Sequence, residues 1–444
     1  MIYKTEEEKK TMFKYRNELV FFDSIDGQPI FYAPTLGICM LCTAELTSRM
    51  KAHLNGEILF EEFEKLLSSS WASRMQTFNL ESVKSKYFHI ALGLTENCTL
   101  SCVYCHADAG KPTLINDELL VASASYAQQK VRDKNLRGIN LSFAVGGEPT
   151  FHFGVLEKAL SLFQSAADAC GVDLKTSMTT NGYYNSEKAN YVASKIDNIL
   201  ISIDGVEDIQ NIHRPTRQGT ESFTTVVNTM NIVYEKKSEL NVRSTISSLN
   251  VHRMREFVDY LALNYPHNTT WVVEPLVPLG RGAFCETKGV CPPDKMEFAE
   301  NFWDAYIYGL SKGIKLKTSA MNAERLVSGF CGAMFIPSFT VTTGGIITTC
   351  ERDSTGGNYG YGHYDENCKE FVFDKNVIER NKKLINIPEK CSSCICRYHC
   401  AGDCPDIRTI NYNRCETNRY LLKRYLMFKM QRKEGLSYEA GSDY

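Results

Sequence analysis

Thr95-Glu96-Asn97-Cys98-Thr99-Leu100-Ser101-Cys102-Val103-Tyr104-Cys105 carries three thiols spaced x3 then x2, just after an apolar stretch, Tyr87 to Leu94, whose pattern predicts a strand. The run supplies three ligands, where a closed zinc or electron-transfer site needs four. On a four-iron cubane three thiolates leave one iron open to a small chelating molecule, and chemistry can occur there. The competing reading of the same residues is a zinc knuckle or a group of buried thiols.

Around this run the chain alternates between two periodicities. Strands are expected at Ile139 to Val145, Val172 to Thr179, Asn198 to Ile203, Val242 to Ser247 and Trp271 to Leu276. Helices are expected at Asn116 to Lys134, Val155 to Ala167, Ser186 to Lys195, Ser222 to Lys236 and Val251 to Leu263. Such α/β alternation predicts a parallel sheet wrapped by helices, with functional loops at the strand C-terminal ends. Six strand-and-helix units fall short of the eight of a closed barrel, so a partial (β/α)6 barrel of the TIM type is expected over residues 87–314.

Residues 1–86 read differently. Two short β-like stretches, Glu18 to Ser24 and Gln28 to Tyr32, flank the turn signal Asp26-Gly27, and helical segments follow near Ala44 to Leu54 and Phe60 to Leu67. This pattern predicts a small winged-helix-like unit.

At 444 residues the chain has room for two or three domains. A hydrophobic content of 43% and a net charge of -2 fit a soluble protein and give no reason to expect nucleic acid or an anionic membrane as partner. Met1 to Lys10 is charged, and no apolar run is long enough to span a bilayer, so a cytoplasmic location is expected. In a reducing compartment, 17 cysteines are read as cluster or metal ligands rather than disulfides. They crowd between Cys331 and Cys415, whereas His106 to Phe284 contains Cys170 alone.

Gly146-Gly147-Glu148-Pro149 directly follows the second core strand, where two glycines let backbone approach a ligand and Glu148 can accept a charge-assisted hydrogen bond. A glycine pair alone is usually a turn. Placed one strand after the three-cysteine run, it resembles the GGE motif of the radical S-adenosylmethionine enzymes, whose cluster loop the run itself resembles. The resemblance implies that Cys98, Cys102 and Cys105 hold a [4Fe-4S] cluster whose open iron binds S-adenosylmethionine. Gly146, Gly147 and Glu148 would meet its amino group, and electron transfer would yield a 5′-deoxyadenosyl radical. Thr180-Asn181-Gly182 ends the third strand. Ser202-Ile203-Asp204-Gly205, with His213 and Arg217, resembles the family's SxDG and HxxxR segments. Ser202 is expected at the ribose or methionine, Tyr104 near the adenine, and Asp204 in ordering the turn, while His213 reads equally as a capping or loop residue.

Cys331-x13-Gly345-x4-Cys350, then Cys391-x2-Cys394-x5-Cys400-x3-Cys404-Pro405 and Cys415, resembles the SPASM pattern of auxiliary clusters. Paired CxxC-like spacing is also zinc-ribbon grammar. The resemblance implies that Cys391, Cys394, Cys400 and Cys415 hold an outer cluster, with Cys331, Cys350 and Cys404 on an inner one. Many family members add a cysteine where this chain has Arg325, which leaves Cys285, Cys291 or a substrate cysteine to complete the inner set. Glu351, next to Cys350, is the candidate catalytic base. Cys39, Cys42, Cys170, Cys368 and Cys396 are read as packed thiols.

The resemblance divides the chain into a leader-peptide recognition-like domain at 1–86, a radical core at 87–314 and a SPASM domain at 315–444. It implies a peptide maturase with S-adenosylmethionine, three [4Fe-4S] clusters, a leader-bearing precursor peptide and an external electron donor such as flavodoxin or ferredoxin. Cysteine thioether formation, of the ranthipeptide or sactipeptide type, is the expected outcome. Carbon–carbon or carbon–oxygen crosslinking, formylglycine formation in a sulfatase, and a non-catalytic redox sensor or peptide-binding scaffold are the alternatives.

Overall fold

A computed structural model describes residues 12–16, 18–74, 86–284, 289–321, 323–324, 326–327, 329–335, 338–410 and 412–432. The chain packs as two compact units, and each draws on distant parts of the sequence. One comprises Met1–Lys84, Ser319–Phe330 and Ile385–Asp443, the other Ser85–Thr318 and Cys331–Leu384. This division by packing departs from the sequence boundaries 1–86, 87–314 and 315–444. The C-terminal third does not hold together as one block: its β-strands extend the large sheet, and its last helix packs on the N-terminal strands.

The larger unit is built on one mixed sheet of eleven strands. Its parallel core consists of β5 (Tyr87–Leu92), β6 (Gly138–Phe143), β7 (Asp173–Thr180), β8 (Asn198–Ser202), β9 (Leu240–Ile246) and β10 (Thr269–Pro275). Each expected strand is present, with its ends displaced by at most two residues. Between them run α3 (Asp117–Lys134), α4 (Phe153–Asp168), α5 (Ser186–Lys195), α6 (Glu207–His213), α7 (Phe223–Lys237) and α8 (Met254–Asn264). Asn116 caps α3 by accepting from Leu119 N at 2.7 Å, and Asn185 caps α5 by accepting from Lys188 N at 3.0 Å.

Alternation along the strands decides which face is packed. In β9, Leu240, Val242, Ser244 and Ile246 are buried while Asn241, Arg243 and Thr245 between them are more exposed. Ile139, Leu141 and Phe143 of β6 are fully buried, and α4 packs against that strand. Each such side chain contributes roughly 1.5–3 kcal/mol on leaving water. Beyond β10 the sheet adds β11 (Lys315–Lys317) in parallel. On the other side β12 (Phe339–Val341) joins β5 in parallel, and β13 (Ile346–Thr348), β14 (Gly360–Asp365) and β15 (Glu370–Phe373) follow antiparallel.

The smaller unit starts with a four-stranded antiparallel sheet in the order β1 (Met12–Tyr15), β2 (Glu18–Ile25), β3 (Gln28–Ala33) and β4 (Ile38–Leu41). Two helices follow, α1 (Ala44–Leu54) and α2 (Glu61–Arg74), over a core that includes Phe22, Phe31, Met50, Phe63 and Leu67. The sheet has twice the strands expected, because β1 and β4 are only four residues long and too short to show a period. Its link to the C-terminal region is specific. Tyr32 Oη hydrogen-bonds His399 Nε2, and Lys423 Nζ pairs with Asp23 Oδ1 at 2.8 Å. Among the described residues no helix is long and apolar enough to cross a membrane.

Candidate active site

The cysteine run leaves the C-terminal end of β5 as a loop tied to its neighbours mainly by backbone. Gly147 N donates to Thr95 O and Glu148 N to Asn97 O, each at 2.8 Å. Ser101 N reaches Pro215 O at 2.8 Å, and Val103 N reaches His213 O at 3.0 Å. Arg281 closes the loop from the far side, donating from Nη1 to Cys102 O at 3.1 Å. The two glycines are required by this approach. Gly146 has φ +82°, and a Cβ on Gly147 would stand 2.0 Å from Asn97 O, so no other residue fits without moving the cysteine loop.

Glu148 is 2% exposed and is the hub of the site. Oε1 accepts from Thr150 N, Thr150 Oγ1 and Thr180 Oγ1 at 3.2, 2.8 and 2.8 Å, and Oε2 accepts from Asn181 N at 2.7 Å. Burial pushes its carboxyl above the usual range, and these four donors oppose that shift. Glu148 therefore braces the ends of β6 and β7 against the cysteine loop, whatever else it binds. Asn181 completes the tie, with Nδ2 at 3.4 Å from Cys98 Sγ and 3.0 Å from Thr99 Oγ1.

Burial pushes Cys98 up to about 11, with Glu148 and Cys105 adding to it. Burial likewise pushes Cys102 up to about 12, Arg214 opposing and Cys98 and Cys105 adding. The three sulfurs thus lie within reach of one another's charge, as ligands of one cluster must. Thiols held this high bind iron with release of their protons. Among the described residues no three His, Cys, Asp or Glu side chains are drawn tightly enough to hold a single metal ion.

Behind the loop lies a network only half legible in the sequence. Tyr104, 8% exposed, donates its phenol to Asp204 Oδ2. Asp204 also takes both arms of Arg214, Nε at 2.9 Å and Nη2 at 3.0 Å, and faces His213 Nδ1 at 3.1 Å. Burial would raise the Asp204 carboxyl, but the Arg214 charge and the His213 hydrogen bond hold it well below the usual range. The HxxxR reading pointed to Arg217, which instead donates to Gly110 O at 2.7 Å. Arg214 is the residue that sequence reasoning missed; the adjacent Arg at position 214 was the available signal. Ser202 ends β8, buried beside Arg243 of β9. Glu351 keeps solvent-accessible surface, yet enough protein surrounds its carboxyl for desolvation to push it upward.

In the smaller unit Cys391, Cys394, Cys400 and Cys415 come together. Burial raises Cys391, with Cys394 and Cys415 adding to it, and burial raises Cys400 to about 12, with Asp403 the next cause and Cys415 also contributing. Cys394 is pulled down to about 6, first by a hydrogen bond from Cys396, which is itself buried. Asn418 Nδ2 lies 3.0 Å from Cys400 Sγ. Arg414 Nε pairs with buried Asp403 Oδ2 at 3.0 Å, fixing the turn before Cys404 to the start of the helix Cys415–Gln431. Cys331 and Cys350 belong to the other unit, as does Cys291, whose carbonyl accepts from Ser248 N at 2.8 Å. Cys285 and Arg325 lie outside the described residues.

Residues 92–261 match the model of the Radical SAM superfamily. An uncharacterized protein of Methanocaldococcus jannaschii is 27% identical over 174 residues, 39% of this chain and 58% of that protein. The chain thus spans little more than half the length of that relative. The cysteine-type anaerobic sulfatase-maturating enzyme of Clostridium perfringens is 21% identical over 358 residues, 75% of this chain and 93% of that enzyme. Among solved structures, anSMEcpe with bound AdoMet superposes with a TM-score of 0.58 at 18% identity, covering 78% of this chain and 97% of its own. SuiB of Streptococcus suis bound to its precursor peptide SuiA gives 0.51 at 12% identity, covering 90% and 97%. The fold is shared with both.

Proposed function

We propose that this chain, whose residues 92–261 match the Radical SAM superfamily model, is a peptide-modifying radical enzyme that forms cysteine thioethers in a ribosomally made precursor. The observation that carries the reading is the Cys98–Cys105 loop held by backbone against Gly146-Gly147-Glu148 at the strand C-terminal ends. When bound, a four-iron cluster with S-adenosylmethionine supplies a 5′-deoxyadenosyl radical able to take hydrogen from carbon.

The chain's own residues position and protect that chemistry. Cys98, Cys102 and Cys105 would hold the cluster, and the Glu148 hub keeps the glycine backbone against the loop that carries them. Ser202 and Tyr104 line the S-adenosylmethionine side. Glu351, with its raised affinity for protons, takes the proton released as the substrate thiol or radical is oxidised. Cys391, Cys394, Cys400 and Cys415, brought together in the smaller unit, would hold a further cluster able to accept the remaining electron. The four-stranded sheet has β1 and β4 as its edges, and an extended leader would add as a strand to one of them. A flavodoxin- or ferredoxin-type donor supplies electrons.

A second reading is oxidation of a cysteine or serine to formylglycine, favoured by the 93% coverage of the Clostridium enzyme. Anaerobic incubation of reconstituted protein with S-adenosylmethionine, dithionite and short peptides encoded beside its gene separates the two. Thioether formation removes two hydrogens and retains the sulfur, whereas formylglycine made from cysteine loses it. A peptide that returns unmodified while 5′-deoxyadenosine accumulates would count against both peptides and reading.

A further inference from the structure

Asn181 sits where β7 ends, 7% exposed, and each polar atom of its side chain is used. Oδ1 accepts from Tyr183 N at 2.8 Å, while the backbone N donates to Glu148 Oε2 at 2.7 Å. That first contact fixes which way the amide faces. With the oxygen committed to Tyr183, the NH2 group must point at the cysteine loop, where its two hydrogens meet Cys98 Sγ at 3.4 Å and Thr99 Oγ1 at 3.0 Å. The orientation follows from the partners and not from a choice between near-identical atoms. Asn418 makes a similar contact to Cys400 Sγ at 3.0 Å, but its Oδ1 has no partner to fix the amide, so the argument rests on Asn181.

We propose that the Asn181 amide tunes the radical cluster, its Nδ2–H donating to the Cys98 sulfur and raising the reduction potential. This rests on Cys98 being a ligand of that cluster. Reduction adds one electron from the external donor, and part of the added charge falls on the ligand sulfurs. A hydrogen-bond donor aimed at one of them stabilises the reduced form more than the oxidised one. The donor is already in place before the electron arrives, because Glu148 and Tyr183 hold the residue from two sides. Asn181 acts through Cys98 and is therefore a positioning residue.

The test is a redox titration of reconstituted holoenzyme followed by electron paramagnetic resonance, wild type against Asn181→Leu, which keeps the volume and removes the donor. The variant should hold full iron and disfavour the reduced cluster about fivefold, a midpoint lower by about 40 mV given about 59 mV per tenfold for one electron. A full-iron variant with an unchanged midpoint overturns the proposal. If Asn181→Leu fails to assemble, the wild type decides. Protein labelled with nitrogen-15 at the asparagine side-chain amide should show hyperfine coupling of that nitrogen to the reduced cluster, and its absence overturns the proposal. Wild-type protein with no four-iron signal at all would instead sink the cluster assignment itself, so the two failures are distinguishable.

Discussion

Asp204 is the residue whose loss is felt furthest. Its carboxylate is enclosed by Arg214, His213, Tyr104 and Thr245 N, so Asp204→Asn strands a buried guanidinium. Denaturant unfolding should show a loss of about 3–5 kcal/mol, against about 1 kcal/mol for Tyr104→Phe, which removes one hydrogen bond. Gly147→Ala tests the close approach. It should leave the sheet folded by circular dichroism while lowering iron in the radical cluster, because the new methyl displaces Asn97 next to Cys98. The three-cysteine run and Gly146-Gly147-Glu148 were legible as letters, since both are contiguous and chemically rare in that order. Thr180-Asn181-Gly182 was legible as a strand end of the same pocket, whereas Arg214 and the bracing of Glu148 by Thr180 and Asn181 were not, because only the folded sheet brings those partners together.

At the scale of elements, the parallel core from β5 to β10 was legible because strands such as β9 and β10 bury alternate residues and α3 and α5 start on asparagine caps. β11, β12 and β13, three residues each, are too short to leave a periodic trace and are specified by pairing with neighbours. The N-terminal strands were read as part of a domain bounded at 1–86, and Tyr32 of β3 reaches His399, next to Cys400, while β2 meets the helix Cys415–Gln431. Deletion of residues 1–86 should therefore cost iron from the Cys391–Cys415 cluster as well as leader binding. Tyr32→Phe is the milder form: it should destabilise the smaller unit by about 1 kcal/mol in thermal unfolding and leave uncoupled S-adenosylmethionine cleavage in place.

For the whole molecule, the proposed function requires residues 92–261 to hold an open-cornered cluster that cleaves S-adenosylmethionine. The resemblance to radical S-adenosylmethionine enzymes was legible from the cysteine and glycine motifs and the α/β core from its alternating periodicity, whereas the grouping of Ser319–Phe330 and Ile385–Asp443 with the N-terminal strands was set by packing that no local pattern encodes. The most direct test is 5′-deoxyadenosine release under dithionite by anaerobically reconstituted protein, wild type against Cys98→Ala, Cys102→Ala and Cys105→Ala, with iron measured on each sample. Release is expected from the wild type alone, with every variant losing about four irons per chain, the content of one four-iron cluster. Release by any variant at the wild-type rate, or a wild type that assembles no four-iron cluster on this loop, would contradict it.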